Sequence, residues 1–424
     1  MAFYSDSKLN KNLVFTDNGE IRSVNFENYV ESEARGYSGR INTDTYFSAA
    51  PGPWKTGGSD GALFGKAVAI SNHKIIVGSP GVWAAGQNAG MIRVYNLDGT
   101  EVSNFVNSFA QTDSQIGFPL AAGNNRIVVG SDNRDSISVH DFDGNQLWTV
   151  QKSSVGFPSS ISVACGRIVV GAKNYTPNDR GRVYIYDLDG TELQSISNSN
   201  DNGLFGSSVS INSGIIVVGE PGNGPGRAHM YDLFGMKLGQ LSFLLNGFTA
   251  EFGYSSAIGA NRIAVGAPND ETFDQFGTAS GQQVGAVHLY DLYGNYLKKI
   301  RAPIPTSGQK FGYSIAISGN TIFVGAPGDG TVTATVYTYD LEGNYKEQIT
   351  KTLYSMNTQI TDNFGESIAV GHGRLIVGDS AETIVGSGQS NIGAAYQYSI
   401  NNTTYEDYLE RISNERNTKY SPEA

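Results

Sequence analysis

The chain has 424 residues, 53 of them glycine, with only 16% charged residues and a net charge of −11. No run of Lys or Arg offers a footprint for phosphates, which excludes nucleic acid as an expected partner, and no stretch approaches the ~20 apolar residues of a membrane-spanning helix. The single cysteine, Cys165, excludes an intrachain disulfide, and its place at the end of Ser162-Val163-Ala164-Cys165 reads as a buried, structural one.

The N-terminus, MAFYSDSKLNKNLVF, lacks the basic head and apolar run of a secretory leader. A hairpin is predicted over Asn12 to Phe15 and Ile21 to Phe26, around Asp17-Asn18-Gly19, because Asn-Gly favours a two-residue turn. Glu27 to Thr45 is polar and irregular, and two readings stand for this arm: a solvated tether, or an anchoring segment that orders on a partner.

From Phe64 onward the chain repeats. A second strand ends in Val-Gly seven times: Val77-Gly78, Val129-Gly130, Val170-Gly171, Val218-Gly219, Val265-Gly266, Val324-Gly325 and Val377-Gly378. Phe-Gly opens the copies at Phe64, Phe205, Phe252, Phe311 and Phe364, and degenerates to Ile116-Gly117 and Val155-Gly156 in copies two and three. The third strand ends in an Asp-x-x-Gly turn, as in Tyr186-Asp-Leu-Asp-Gly190, and an alternating fourth strand follows. A four-stranded meander cannot bury both faces alone, so the copies must pack face to face around an axis. The predicted fold is all-β: a seven-bladed β-propeller of four-stranded antiparallel blades.

The seventh copy has no fourth strand after Ala394 to Ile400. Its outer strand is predicted to come from the N-terminal side, where Thr45 to Trp54 resembles a fourth-strand region. Behind the ring, apolar residues at 405, 408, 409 and 412 have the spacing of one helical face, which predicts a short C-terminal helix. The predicted division is an arm at 1–44, a propeller at 45–400 and a tail at 401–424.

Phe-Gly followed by Val-Gly-Ala-Pro (Val265 to Pro268, Val324 to Pro327) resembles the FG-GAP repeat, the unit of the propeller at the N-terminus of integrin α subunits and its microbial relatives. The resemblance implies the architecture and leaves function open. Many members hold calcium between their first and second strands; here those turns, such as Ser71-Asn-His-Lys74 and Gly371-His-Gly-Arg374, supply no carboxylate cage. The Asp-x-Asp-Gly pieces at Asp141 to Gly144 and Asp187 to Gly190 read as turn chemistry, with weak calcium sites as the alternative. No cofactor is expected.

Function is expected where length varies: Pro80 to Asn88, Lys173 to Arg180, Pro268 to Gln283, Pro327 to Thr331 and Asp379 to Asn391, all on one face of the ring. The candidate binding residues are Trp83, Tyr175, Asp179, Arg180, Asp270, Glu271, Phe273, Asp274, Phe276 and Asp329; such aromatics beside charges suit sugars or a partner protein. His140, His229 and His288 read as packing residues, and no catalytic motif stands in a fitting context. The leading expectation is a non-enzymatic binding or structural module, a bacteriophage virion protein of tail or capsid surface. It would dock to other proteins through residues 1–44 and 401–424 and present the variable face to a glycan or receptor. The alternatives are a bacterial adhesin and a polysaccharide-acting enzyme.

Overall fold

The computed structural model describes residues 61–84, 86, 88–108, 110–131, 135–152, 156–175, 180–198, 200–222, 224–241, 250–273, 279–328, 330, 332–350, 363–382 and 392–400, with the strand backbone of 12–17, 20–25 and 42–48. The chain divides into two units, residues 1–42 and 43–424. In the first, β1 (Asn12–Asp17) pairs antiparallel with β2 (Glu20–Asn25), Asp17 standing opposite Glu20. That register leaves two residues for the turn, as the Asn-Gly pair predicts.

The second unit is a ring of seven four-stranded antiparallel sheets. After β3 (Asn42–Ser48), blade 1 is β4 (Ala67–Ser71), β5 (Lys74–Ser79), β6 (Met91–Asn96) and β7 (Glu101–Phe105). Blade 2 is β8 (Ile116–Gly123), β9 (Arg126–Ser131), β10 (Ser136–His140) and β11 (Gln146–Gln151). Blade 3 is β12 (Ser160–Ala164), β13 (Arg167–Ala172), β14 (Arg182–Tyr186) and β15 (Glu192–Ser197). Blade 4 is β16 (Val209–Asn212), β17 (Ile215–Glu220), β18 (Arg227–Asp232) and β19 (Lys237–Leu241). Blade 5 is β20 (Ser255–Gly259), β21 (Arg262–Ala267), β24 (Ala286–Tyr290) and β25 (Tyr296–Ile300), with an inserted hairpin of β22 (Glu271–Phe273) and β23 (Ala279–Gln283). Blade 6 is β26 (Ser314–Ser318), β27 (Thr321–Ala326), β28 (Thr335–Tyr339) and β29 (Tyr345–Ile349). Blade 7 is β30 (Ser367–Gly371), β31 (Arg374–Asp379) and β32 (Ala394–Ser399), completed on its outside by β3.

The first strands of neighbouring blades touch all round the ring, and β30 against β4 closes it. The second strands lie between blades and are buried on both faces, which is why they read as unbroken apolar runs such as Ile168-Val169-Val170.

The repeat motifs are the seams. The opening phenylalanines at 64, 205, 252, 311 and 364 are fully buried, each edge-on to a third-strand tyrosine, as Phe205 is to Tyr231 at 6.2 Å. At every seam but that of blades 2 and 3, where Gly130 meets Pro119 and Pro158, the Val-Gly glycine of one blade faces the carbonyl of the opening glycine of the next: a Cβ on Gly219 would stand 1.8 Å from the Gly253 oxygen. That oxygen also accepts the hydroxyl of Ser208 at 2.8 Å. Backbone meets backbone here, and no side chain fits between.

Three sequence expectations change. In blade 3 the opening position belongs to Phe157, fully buried and edge-on to Tyr184 at 5.5 Å, rather than to the Val155-Gly156 pair. Cys165 is exposed: with Gly166 it forms the turn between β12 and β13, both residues left-handed at φ 53 and 70. A two-residue type I′ hairpin requires that geometry, and it places Cys165 outside the sheet. Residues 268–283, read as a plain loop, contain β22 and β23. The predicted C-terminal helix lies outside the described residues.

Candidate functional site

Blade order decides which end of the ring each loop occupies. Connections between second and third strands, and between successive blades, share the end at which first strands begin. The variable loops therefore surround the start of all seven first strands.

At the centre of that face stands a group the sequence reading missed, built by the residue after the opening glycine. Lys66 of blade 1 lies 2.9 Å from Glu366 of blade 7, and its ammonium sits 5.6 Å over the Phe118 ring of blade 2. Tyr254 of blade 5 and Tyr313 of blade 6 have ring centroids 4.9 Å apart. Tyr254 feels the Glu366 charge and Lys66 feels Tyr313. Side chains from five blades meet in this way only near the axis. Burial opposes the Lys66 charge, but the Glu366 carboxylate overrides it and raises the ammonium pKa. Burial, with Tyr313 beside it, pushes the Tyr254 phenol up, so that phenol stays neutral. The centre thus offers flat apolar rings, hydroxyls and one ion pair. The signal for it was in the sequence, in the variable third residue of Phe-Gly-Lys, Phe-Gly-Tyr and Phe-Gly-Glu.

The predicted loop residues fall apart into separate places. Trp83 is 43% exposed in the blade 1 loop. Tyr175 packs on the blade 3 core, with the Arg182 guanidinium 4.1 Å over its ring, and so caps its own blade. Arg180 pairs at 2.5 Å with exposed Asp201. Asp179, Asp274, Phe276, Asp329 and the Phe273 side chain lie outside the described residues.

Asp270 is different: it is 2% exposed. Lys299 reaches both its oxygens at 2.6 and 2.7 Å, Arg301 Nη2 lies 2.6 Å from one, and His288 Nε2 stands 3.7 Å away. Burial works against the charged carboxylate, and the His288 ring and the two cations overcome it, holding the group at about 2. The same Arg301 nitrogen donates to the Glu271 carbonyl at 2.6 Å, and the Asp270 carbonyl accepts the N–H groups of Val284 and Gly285. Both ends of the β22–β23 hairpin are tied to this cluster.

The opposite end of the ring carries the Asp-x-x-Gly turns. Asp187 Oδ1 accepts the N–H groups of Asp189 and Thr191 at 3.0 and 2.8 Å, and the Thr191 bond leads in lowering its pKa. Asp141 holds Asp143 and Asn145 in the same way. These carboxylates close their own turns. The third turn residue is acidic at Asp98, Asp143, Asp189 and Glu342, yet aromatic at Phe234 and Tyr293, which are 73% and 90% exposed.

A model of the FG-GAP repeat matches residues 297–339, from β25 through β28. Among solved structures the chain is similar to a streptogramin B lyase, with a TM-score of 0.59 and 11% identity over 83% of this chain and 96% of that one. It is similar to virginiamycin B lyase from Staphylococcus aureus at 0.58 and 10%, over 85% and 100%. The Pan2 WD40 domain of Neurospora crassa gives 0.54 and 11%, over 86% and 96%. At such identities the likeness is one of fold. No curated protein matches the chain by sequence.

Proposed function

Taking the chain as a seven-bladed propeller of FG-GAP type, we propose that it is a non-enzymatic binding and structural module that presents its variable-loop face to a surface glycan or a receptor protein. One observation carries the reading: the longest insertion on that face is rooted on a buried charge cluster. Taking the Asp270 carboxylate out of water costs several kcal/mol before its attraction to the partly exposed Lys299 and Arg301 is counted, and apolar packing would fill the space as well. What the cluster adds is direction, since each bond fixes one end of the β22–β23 hairpin. A hairpin braced at its root on a rigid ring suits recognition. The axial rings, hydroxyls and ion pair on the same face fit sugar rings or protein side chains.

The setting in this proposal is a bacteriophage virion, where the chain contacts the host surface or neighbouring virion proteins. The single cysteine and the long polar ends of the sequence support that setting.

Binding of the full chain to a glycan array and to host cells is compared with that of a variant in which residues 272–282 are replaced by an Asn-Gly turn. The proposal expects at least ~10-fold weaker binding with the melting temperature kept. Undiminished binding would overturn it, as would cleavage of the bound glycan, the outcome the lyase-like fold makes worth measuring. Virions shown by mass spectrometry to lack the chain would remove the virion setting alone.

A further inference from the structure

The sequence contains five histidines. Three are shut inside sheets: His140, His229 and His288 are at most 2% exposed. The other two, His73 and His372, are half-buried and lie against each other, ring centroids 4.1 Å apart and ring planes inclined by 42°. They are 299 positions apart in the chain. Each belongs to a two-residue turn between a first and a second strand, His73 with Asn72 in blade 1 and His372 with Gly373 in blade 7. Those blades meet where the ring closes.

We propose that His73 and His372 form a binding site for a divalent transition-metal ion that staples the closing seam of the ring. Imidazole nitrogen is the ligand that suits Zn²⁺, Ni²⁺ and Cu²⁺ and is a poor choice for Ca²⁺ or Mg²⁺, which take oxygen. Two nitrogens bound to one ion at ~2.0–2.1 Å each stand at most ~4.2 Å apart. The two rings are neighbours, with centroids 4.1 Å apart, and the site requires each to turn about its side-chain bonds so that one in-plane nitrogen points at the common ion. Water completes the coordination, because no group of three or more His, Cys, Asp or Glu side chains fit to hold a metal occurs among the described residues.

The position gives the ion its consequence. At the other six seams the blades are joined by continuous chain; blades 7 and 1 are the two whose connection is made only by contacts and the β3 strand. The Gly65 carbonyl against Gly378, the Ser367 hydroxyl on that carbonyl at 2.8 Å and the Lys66–Glu366 pair hold the seam from the variable-loop end inward. The histidine pair sits at the opposite end of the same first strands, where an ion would clamp the end those contacts do not reach.

The test uses the full chain with Ni²⁺ and Zn²⁺ as probes, each measured by calorimetric titration and by thermal unfolding against EDTA. The expected result is one equivalent bound per chain with a raised melting temperature, and no response to Mg²⁺. His73→Asn and His372→Asn keep a residue that accepts the left-handed turn, and each should weaken binding by at least ~10-fold, a loss no smaller than that from disturbing a ligand's support. Cys165→Ser, which removes the exposed thiol, should leave binding intact. In the unaltered chain Ni²⁺ should broaden the imidazole Cε1–H resonances of two histidines and spare three, a readout independent of any variant's folding. No binding by the unaltered chain, binding that survives in the double variant, or binding lost with Cys165 would each overturn the proposal.

Discussion

His140 shows how far one side chain can tie this ring to pH. It is wholly buried at the end of β10, 4.4 Å from the Phe105 ring, with Nε2 3.0 Å from Ser138 Oγ and Nδ1 3.3 Å from the Gly144 carbonyl. Burial disfavours the charged ring and outweighs the Gly144 carbonyl and Asp141, lowering its pKa from 6.5 to about 4. Between those values the unfolded chain binds a proton that the folded chain refuses. The contribution to stability is therefore whole above pH 6.5 and lost as pH falls toward 4. At ~1.4 kcal/mol per pH unit the loss is about 3 kcal/mol. Urea unfolding across this window should show it, and His140→Gln should flatten the slope; an unchanged slope in the variant would clear the ring of responsibility. The packing role of His140 was legible, because it ends an alternating run. The exposure of Cys165 was not, since an apolar run looks the same up to the residue where the backbone turns left-handed.

At the scale of the element, the β22–β23 hairpin depends on residues outside it. Register sets Val287 opposite Ile300 and His288 opposite Lys299, which brings the cations of β25 and its exit beside Asp270 near the start of the second-to-third-strand loop. Asp270→Asn would strand two cations. Lys299 and Arg301 each keep 27% of the side chain exposed, so the cost should lie near ~3 kcal/mol, the low end for breaking a buried pair. Hydrogen exchange should quicken across residues 271–283 and stay unchanged in blades 1 to 3; slow exchange in the hairpin would show that it is held by something else. The sequence offered Asp270 and Glu271 as candidates by loop length, but the partners lie about 30 residues away on another strand, and only the ladder unites them.

One contact is repeated at six of the seven seams of the ring, the exception being that of blades 2 and 3, where Gly130 meets Pro119 and Pro158, and two glycines separate that contact from ordinary strand glycine. A Cβ on Gly378 would stand 2.0 Å from the Gly65 oxygen across the closing seam, whereas on Gly239 in β19 it would meet nothing within 4 Å. Gly378→Ala must move backbone and should cost on the order of 3 kcal/mol, read as a lower denaturant midpoint; Gly239→Ala should change stability by less than ~0.5 kcal/mol. Equal effects would refute the seam argument. The number of blades, their strand order and the donation of the outermost strand of blade 7 could all be read from the sequence, because each rests on local periodicity, turn chemistry and the absence of a fourth strand after Ile400. The axial group of Lys66, Phe118, Tyr254, Tyr313 and Glu366, the Asp270 cluster and the His73–His372 pair were decided only by the tertiary structure. Their members stand tens to hundreds of residues apart; the repeat marks the position after each opening glycine, but which side chains meet is set only when the ring closes and brings different blades to one place.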